Sequence, residues 1–223
     1  MNVPQIVDAF FGRTGTIAAS PMPSGLSFFN EIIEPYRYDP AESERLLEEA
    51  GLAGGFDTTL WYIPIPRPYV PDGKGIAQAV QSDLHKVGIN AELVTYEFAT
   101  YLEKVGMGEH DMALYGGTES GTDPDFRLYY WFSSDAATEA NVSNISYYKN
   151  PEVDRLIAQA RSTLDQKERR DLYYRVQEIV HEDVAVLPLA YVNDPVGLQK
   201  GVKGCQTTLG GDRFNTVKFS GGA

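Results

Sequence analysis

Between residues 57 and 116 the chain alternates strand, helix, strand, helix, strand, and that alternation leaves few folds open. An apolar run at 57–63, ending Leu60-Trp61-Tyr62-Ile63, has the length and the aromatic and β-branched content of a buried strand. Residues 73–88 place Ile76, Val80, Leu84 and Val87 at helical spacing between two glycines. An alternating strand follows at 91–96, a short helix at 98–105, and a third short apolar strand at 111–116 that ends in Gly116-Gly117. The order predicts an α/β fold, a mixed and at least partly parallel sheet flanked by helices.

Helix signals are equally plain on both sides of this unit. Residues 4–11 read as a short helix with Pro4 at its start and Ile6, Val7, Phe10 and Phe11 as its apolar stripe. Residues 12–38 have no sustained period and form a long loop, packed on the surface or functional. Asp39-Pro40 with Glu42 opens a capped helix whose inner face is Leu46, Leu47 and Ala50, stopped by Gly51. Asp123-Pro124 opens an aromatic-rich helix. Asn150-Pro151 opens one with face Val153, Leu156, Ile157 and Ala160, and Asp165 with Glu168 caps another with face Leu172, Val176, Ile179 and Val180. From about residue 184 the helical period stops and short strands with Gly-rich turns take over, the one internal boundary.

Composition removes several classes of function. The net charge of −12 argues against a nucleic-acid backbone or an anionic membrane as partner. No apolar run approaches the roughly 20 residues of a membrane span, and the first residues lack the basic start and apolar stretch of a signal peptide. The single Cys205 excludes an internal disulfide and a cysteine metal cluster. Two glycosylation sequons, at Asn141 and Asn144, read as ordinary loop residues. Gly73-Lys74-Gly75 lacks the third glycine of a dinucleotide fingerprint and reads as a helix start. His85, His110 and His181 have no metal-ligand spacing, and Asp123 with Asp125 read as helix capping rather than a hard-cation site. No nucleophile elbow or other catalytic constellation is present, so neither a catalytic residue nor a cofactor nor a metal is expected.

What remains is a binding surface. Residues 60–71 read LWYIPIPRPYVP, a strand running into four prolines with Arg67 and Tyr69 among them. Proline fixes φ and pushes its predecessor to extended conformations, so a stiff extended arm holding one guanidinium is expected. Arg67 is then either a carboxylate anchor, suited by its planar fork, or a surface ion pair in an acidic protein. The 116–122 loop also follows a strand. Ligands of α/β sheets sit outside the carboxyl ends of strands, so arm and loop line one crevice if their strands are neighbours.

Several runs carry a family resemblance: YDPAESERLLEEAGLAGGF at 38–56, LWYIPIPRPYVPDGKGIAQAVQSDLHKVGINAELVTYEFATYL at 60–102, GEHDMALYGGTESGTDPDF at 108–126 and NPEVDRLIAQARSTLDQKERRDLYYRVQEIVHEDVAVLPL at 150–189. In order and spacing the chain resembles the dipeptide/oligopeptide solute-binding proteins of ABC importers, the family 5 extracellular solute-binding proteins, specifically their C-terminal part. The resemblance implies a type II periplasmic-binding-protein lobe over residues 1–183. Residues 184–223 would be a strand-rich segment crossing back to an N-terminal lobe that, like the signal peptide, lies outside this chain. It also implies a periplasmic location, no enzymatic activity, capture of a small peptide or related solute by lobe closure, and delivery to membrane permease subunits. A peptide-presenting regulatory or chaperone-like module using the same lobe is the alternative. By the same resemblance Arg67 matches the arginine that pairs with the peptide's C-terminal carboxylate, with Tyr69 beside it. The aspartate that holds the peptide's amino group is matched by Ser120, next to Glu119, and a neighbouring tryptophan by Gly117. Serine cannot neutralise an ammonium group and glycine removes a wall. Either Glu119 substitutes, or the ligand is bulkier than a dipeptide or lacks an α-amino end.

Overall fold

The computed structural model describes residues 1–118, 121–138, 141–193, 195–208 and 211–219, with backbone alone at 141–142, 207–208 and 211–212. Its helices start where short-range chemistry supplies an acceptor for orphan N–H groups. The helices are α1 (Val3–Phe11), α2 (Pro40–Glu49), α3 (Gly73–His85), α4 (Phe98–Gly106), α5 (Pro124–Phe132), α6 (Pro151–Ser162) and α7 (Gln166–Glu182). The side chains of Asn2, Asp39, Asp72, Glu97, Asp123, Asn150 and Asp165 each cap one of them, and proline occupies the first turn of α1, α2, α5 and α6.

The central sheet comprises β2 (Phe56–Trp61), β3 (Ile89–Val94) and β4 (Met112–Ala113), after a short β1 (Gly15–Ile17). Its order is β3-β2-β4 and every pairing is parallel: Phe56 to Trp61 lie opposite Ile89 to Val94, and Leu60 and Trp61 opposite Met112 and Ala113. Among the described strands antiparallel pairing is confined to separate two-stranded ladders. Later strands are β5 (Ala137–Thr138), β6 (Asn141–Val142), β7 (Ala190–Val192), β8 (Val202–Lys203), β9 (Gln206–Thr208), β10 (Gly211–Arg213) and β11 (Lys218–Phe219). They pair as β1 with β7, β5 with β6, β8 with β11 and β9 with β10.

Two hydrophobic clusters hold this together. The first buries Leu60, Trp61, Ile63, Ile76, Val80, Ala91, Tyr101 and Val105 between α1, α3, α4 and the sheet. The second is helical: Leu128 and Phe132 of α5 meet Val153, Leu156, Ile157 and Ala160 of α6 and Tyr173, Val176, Ile179 and Val180 of α7. Into it dips the long loop, whose Met22 and Leu26 are buried. Buried Gln177 fastens that loop, accepting from Asn30 N at 3.1 Å and donating to Phe28 O at 2.9 Å.

Three expectations change. The α2 face of Leu46, Leu47 and Ala50 does not enter the core: α2 buries no residue and Leu46 is 51% exposed. Periodicity reports that a helix is amphipathic, not that a partner lies within reach. On α7 Val176, Ile179 and Val180 are buried as expected, but Leu172 is only half-buried and Tyr173 and Gln177 join the stripe, because the loop and α5 approach from that side. The third strand shrinks to two residues, Leu114 N still reaching Trp61 O at 2.8 Å before the chain leaves the sheet. Asn144, by contrast, is fully buried and donates to Ser133 O and Tyr148 O at 3.1 and 2.8 Å, an internal loop brace.

Candidate functional site

Because β2 lies between β3 and β4 and all three run parallel, the segments leaving their carboxyl ends share one edge. Those segments are the proline-rich stretch at 62–71, residues 95–97 leading into α4, and residues 114–118. The condition for one crevice, neighbouring strands, is therefore met. Thr95 Oγ1 donates to Tyr62 O at 2.8 Å and closes the edge between the first two segments.

The proline-rich stretch is not an extended arm. It bends at 64–65 and then closes a tight turn, with Arg67 N donating to Val70 O at 2.9 Å and Val70 N to Arg67 O at 3.0 Å. Pro68 at the first central position presets the φ that such a turn needs, so proline here favours reversal over extension. Buried Ile63 and Val70 fasten both ends to the core. Arg67 is half-buried, and its guanidinium carbon lies 3.9 Å from the centroid of the Phe98 ring. Its Nε is buried with no hydrogen-bond partner among the described residues.

Tyr69 reaches across to the next segment. A Cβ on Gly116 would stand 2.6 Å from Tyr69 Cδ2, so the tyrosine ring occupies the space where a Gly116 side chain would be. Gly117 is the opposite case, exposed and with nothing within 4 Å of an added Cβ. The remaining two sequence candidates, Glu119 and Ser120, lie outside the described residues.

Sequence reasoning missed a second group on this side. Tyr115, 38% exposed, sits with its ring 5.8 Å from Trp131 of α5, and Trp131 in turn carries the Arg127 guanidinium 3.9 Å from its centroid. Arg127 is buried, and burial pushes it down to about 10 against the opposing pull of Tyr115 and Tyr191. Burial also raises the Tyr115 phenol, with Tyr69 adding to the rise and Arg127 opposing it. Tyr191 of β7 closes the far side, accepting from Ser20 N at 3.0 Å and donating to Ser20 O at 2.7 Å. A charged residue among aromatics on a short helix offers no periodic signal that it points inward.

The nearby carboxylates are already engaged. Asp123 caps α5 and pairs with Arg169 at 2.9 Å; although burial opposes it, that pairing keeps Asp123 below the usual carboxylate range. Asp125 accepts from the Tyr173 hydroxyl at 3.1 Å and faces Arg161 at 3.4 Å. The capping reading holds for Asp123 alone; the Asp125 carboxylate does not cap α5 but ties it to α6 and α7. Among the described residues no group of three His, Cys, Asp or Glu could hold a metal ion. Two concavities lie away from the strand-end edge. One of about 630 Å³ is at the amino ends of β2 and β3, beside Asp57, His85 and Asn90; one of about 390 Å³ runs along α7 from Asp165 to Arg175.

An aromatic-lined edge carrying a guanidinium, set at the carboxyl ends of parallel strands, has the geometry of a small-ligand binding lobe. Solved structures agree on the class, periplasmic binding proteins. HbpA2 from Haemophilus parasuis superposes with a TM-score of 0.91 at 31% identity, covering 98% of this chain and 43% of that one. The periplasmic binding protein DppA from Helicobacter pylori, in complex with the peptide STSA, superposes with a TM-score of 0.86 at 33% identity over 99% of this chain and 42% of that one. The family model for bacterial extracellular solute-binding proteins, family 5 Middle, matches residues 1–139, and the chain belongs to that family. The dipeptide-binding protein of Pseudomonas aeruginosa (strain PAO1) is 35% identical over 204 residues, 92% of this chain and 38% of the relative. The chain thus spans about two fifths of the length of the relatives it matches.

Proposed function

We propose that this chain is the C-terminal ligand-binding lobe of a periplasmic solute-binding component of an ABC importer, a binding protein rather than a catalyst. Its ligand is a peptide or related small solute with a carboxylate. Residues 1–183 form the lobe and 184–223 return toward a second lobe. Closure of two lobes over the ligand excludes water, and permease subunits read the closed state by its changed surface.

The observation that carries this reading is Arg67: held by a two-bond turn at the carboxyl edge of a parallel sheet, stacked on an aromatic ring, and with a buried Nε that no described residue engages. Two relatives support a peptide ligand, the Pseudomonas protein named for dipeptides and the Helicobacter protein solved with STSA. Gly117 leaves open space where a larger residue would stand, which suits a ligand with a bulky group at that point. Glu119 and Ser120 are further ligand contacts on the strength of the family resemblance alone.

Calorimetry on the complete gene product tests the reading. Arg67→Ala is expected to weaken binding of a peptide with a free C-terminal carboxylate by about 2–5 kcal/mol, the range for truncating one partner of a buried charge pair. A change below about 0.5 kcal/mol would mean that Arg67 packs on the surface and anchors nothing.

A further inference from the structure

Phe98 holds Arg67 in a way that no carboxylate could. An ion pair fixes a guanidinium by neutralising it; an aromatic face fixes it through the ring quadrupole and leaves the charge uncompensated. The nearest acidic residues along the two flanking segments are both committed to backbone N–H groups. Asp72 accepts from Gly75 N at 2.9 Å, and Glu97, immediately before Phe98, accepts from Ala99 N at 2.9 Å and Thr100 N at 3.4 Å. In a chain with 31 Asp and Glu, no ion pair reaches the Arg67 guanidinium among the described residues.

The ring is itself well fixed. Phe98 is the first residue of α4, reached from β3 through residues 95–97, half-buried and packed against the first hydrophobic cluster. One face of the guanidinium is covered at 3.9 Å while the arginine backbone is locked by the 67–70 turn. Both ends of a long side chain are then restrained before any ligand arrives, which lowers the ordering cost of binding an anion.

We infer that Phe98 is the positioning residue of this site, a π clamp that preorders the Arg67 guanidinium, unneutralised, for a ligand carboxylate. The inference rests on the anchor reading of Arg67, and the test separates the two. A random tetrapeptide library with free C-terminal carboxylates and its C-terminally amidated counterpart are captured on the complete gene product and quantified by mass spectrometry. The wild type is expected to prefer acids over amides by about tenfold or more, as hydrogen bonds to charged groups do. Phe98→Leu, which keeps an apolar side chain against the core and removes the π face, reduces that preference by about three- to thirtyfold, the span of cation–π strengths. Phe98→Met serves the same purpose if the leucine variant does not fold. Phe98→Tyr restores the preference, and Phe98→Leu adds nothing once Arg67 is alanine. If Arg67→Ala abolishes the preference but neither Phe98→Leu nor Phe98→Met moves it, the clamp is refuted and the anchor stands. If the wild type shows no preference, or Arg67→Ala leaves it intact, the anchor reading fails and the clamp with it.

Discussion

Two adjacent glycines respond to the same substitution in opposite ways. An alanine methyl at 116 would lie 2.6 Å from Tyr69 Cδ2, 3.2 Å from Cγ and 3.3 Å from Cε2. Carbon pairs are at their optimum near 3.5–4.0 Å, so the ring must withdraw by about 1 Å. It cannot swing freely, because Tyr69 is a central residue of the turn closed by Arg67 and Val70. Forcing an extra methyl into such a contact costs about 1–3 kcal/mol. At Gly117 nothing lies within 4 Å and φ is outside the left-handed range, so alanine there only restricts the unfolded chain, worth about 0.4–1 kcal/mol of stabilisation. Denaturant unfolding of Gly116→Ala, Gly117→Ala and the pair Tyr69→Ala with Gly116→Ala decides the matter. The Gly116→Ala loss should be largely absent when Tyr69 is already alanine. Equal behaviour of the two glycine variants, or a Gly116→Ala loss undiminished by Tyr69→Ala, would refute the packing argument.

Further perturbations follow from the same structure. Gln177→Leu orphans the Asn30 N–H and the Phe28 carbonyl, and should cost about 2–4 kcal/mol in chemical denaturation; a loss below about 0.5 kcal/mol would mean water replaces the amide. His110, packed 6.0 Å from Trp61, is held below its ordinary value mainly by burial, and His181 likewise. The unfolded chain therefore takes up these protons more readily. Stability is full above about pH 6.5 and declines as pH falls below it. His110→Phe should flatten part of that decline in thermal unfolding between about pH 7 and 5, and an unchanged slope would exclude His110 as a contributor.

Much of the fold was legible because helix starts are local events. Asp39, Asp123, Asn150 and Asp165 each satisfy N–H groups two or three residues away, and that chemistry is written in adjacent letters. The faces of helices were legible only as far as partners could be guessed. On α6 the expected stripe is the buried one, whereas α2 has the pattern without the partner and α7 keeps three of its four residues while Tyr173 and Gln177 turn in to meet the long loop. The proline-rich stretch misled for a related reason: proline restricts φ in extended strands and in turns alike, and the choice is made by Ile63 and Val70 finding the core.

Residue order alone established the α/β alternation, the capped helices, the family likeness and Arg67 as the residue to watch, because each depends on contacts within a few positions or on a pattern read along the chain. Packing decided the rest. That Arg67 lies on Phe98 and that Tyr69 fills the side-chain space of Gly116 follow from β2 standing between β3 and β4, and the meeting of Tyr115 with Trp131 follows from where α5 packs. Sheet order is set by which arrangement buries the most apolar surface at once, a property of the whole chain that no short stretch of it encodes.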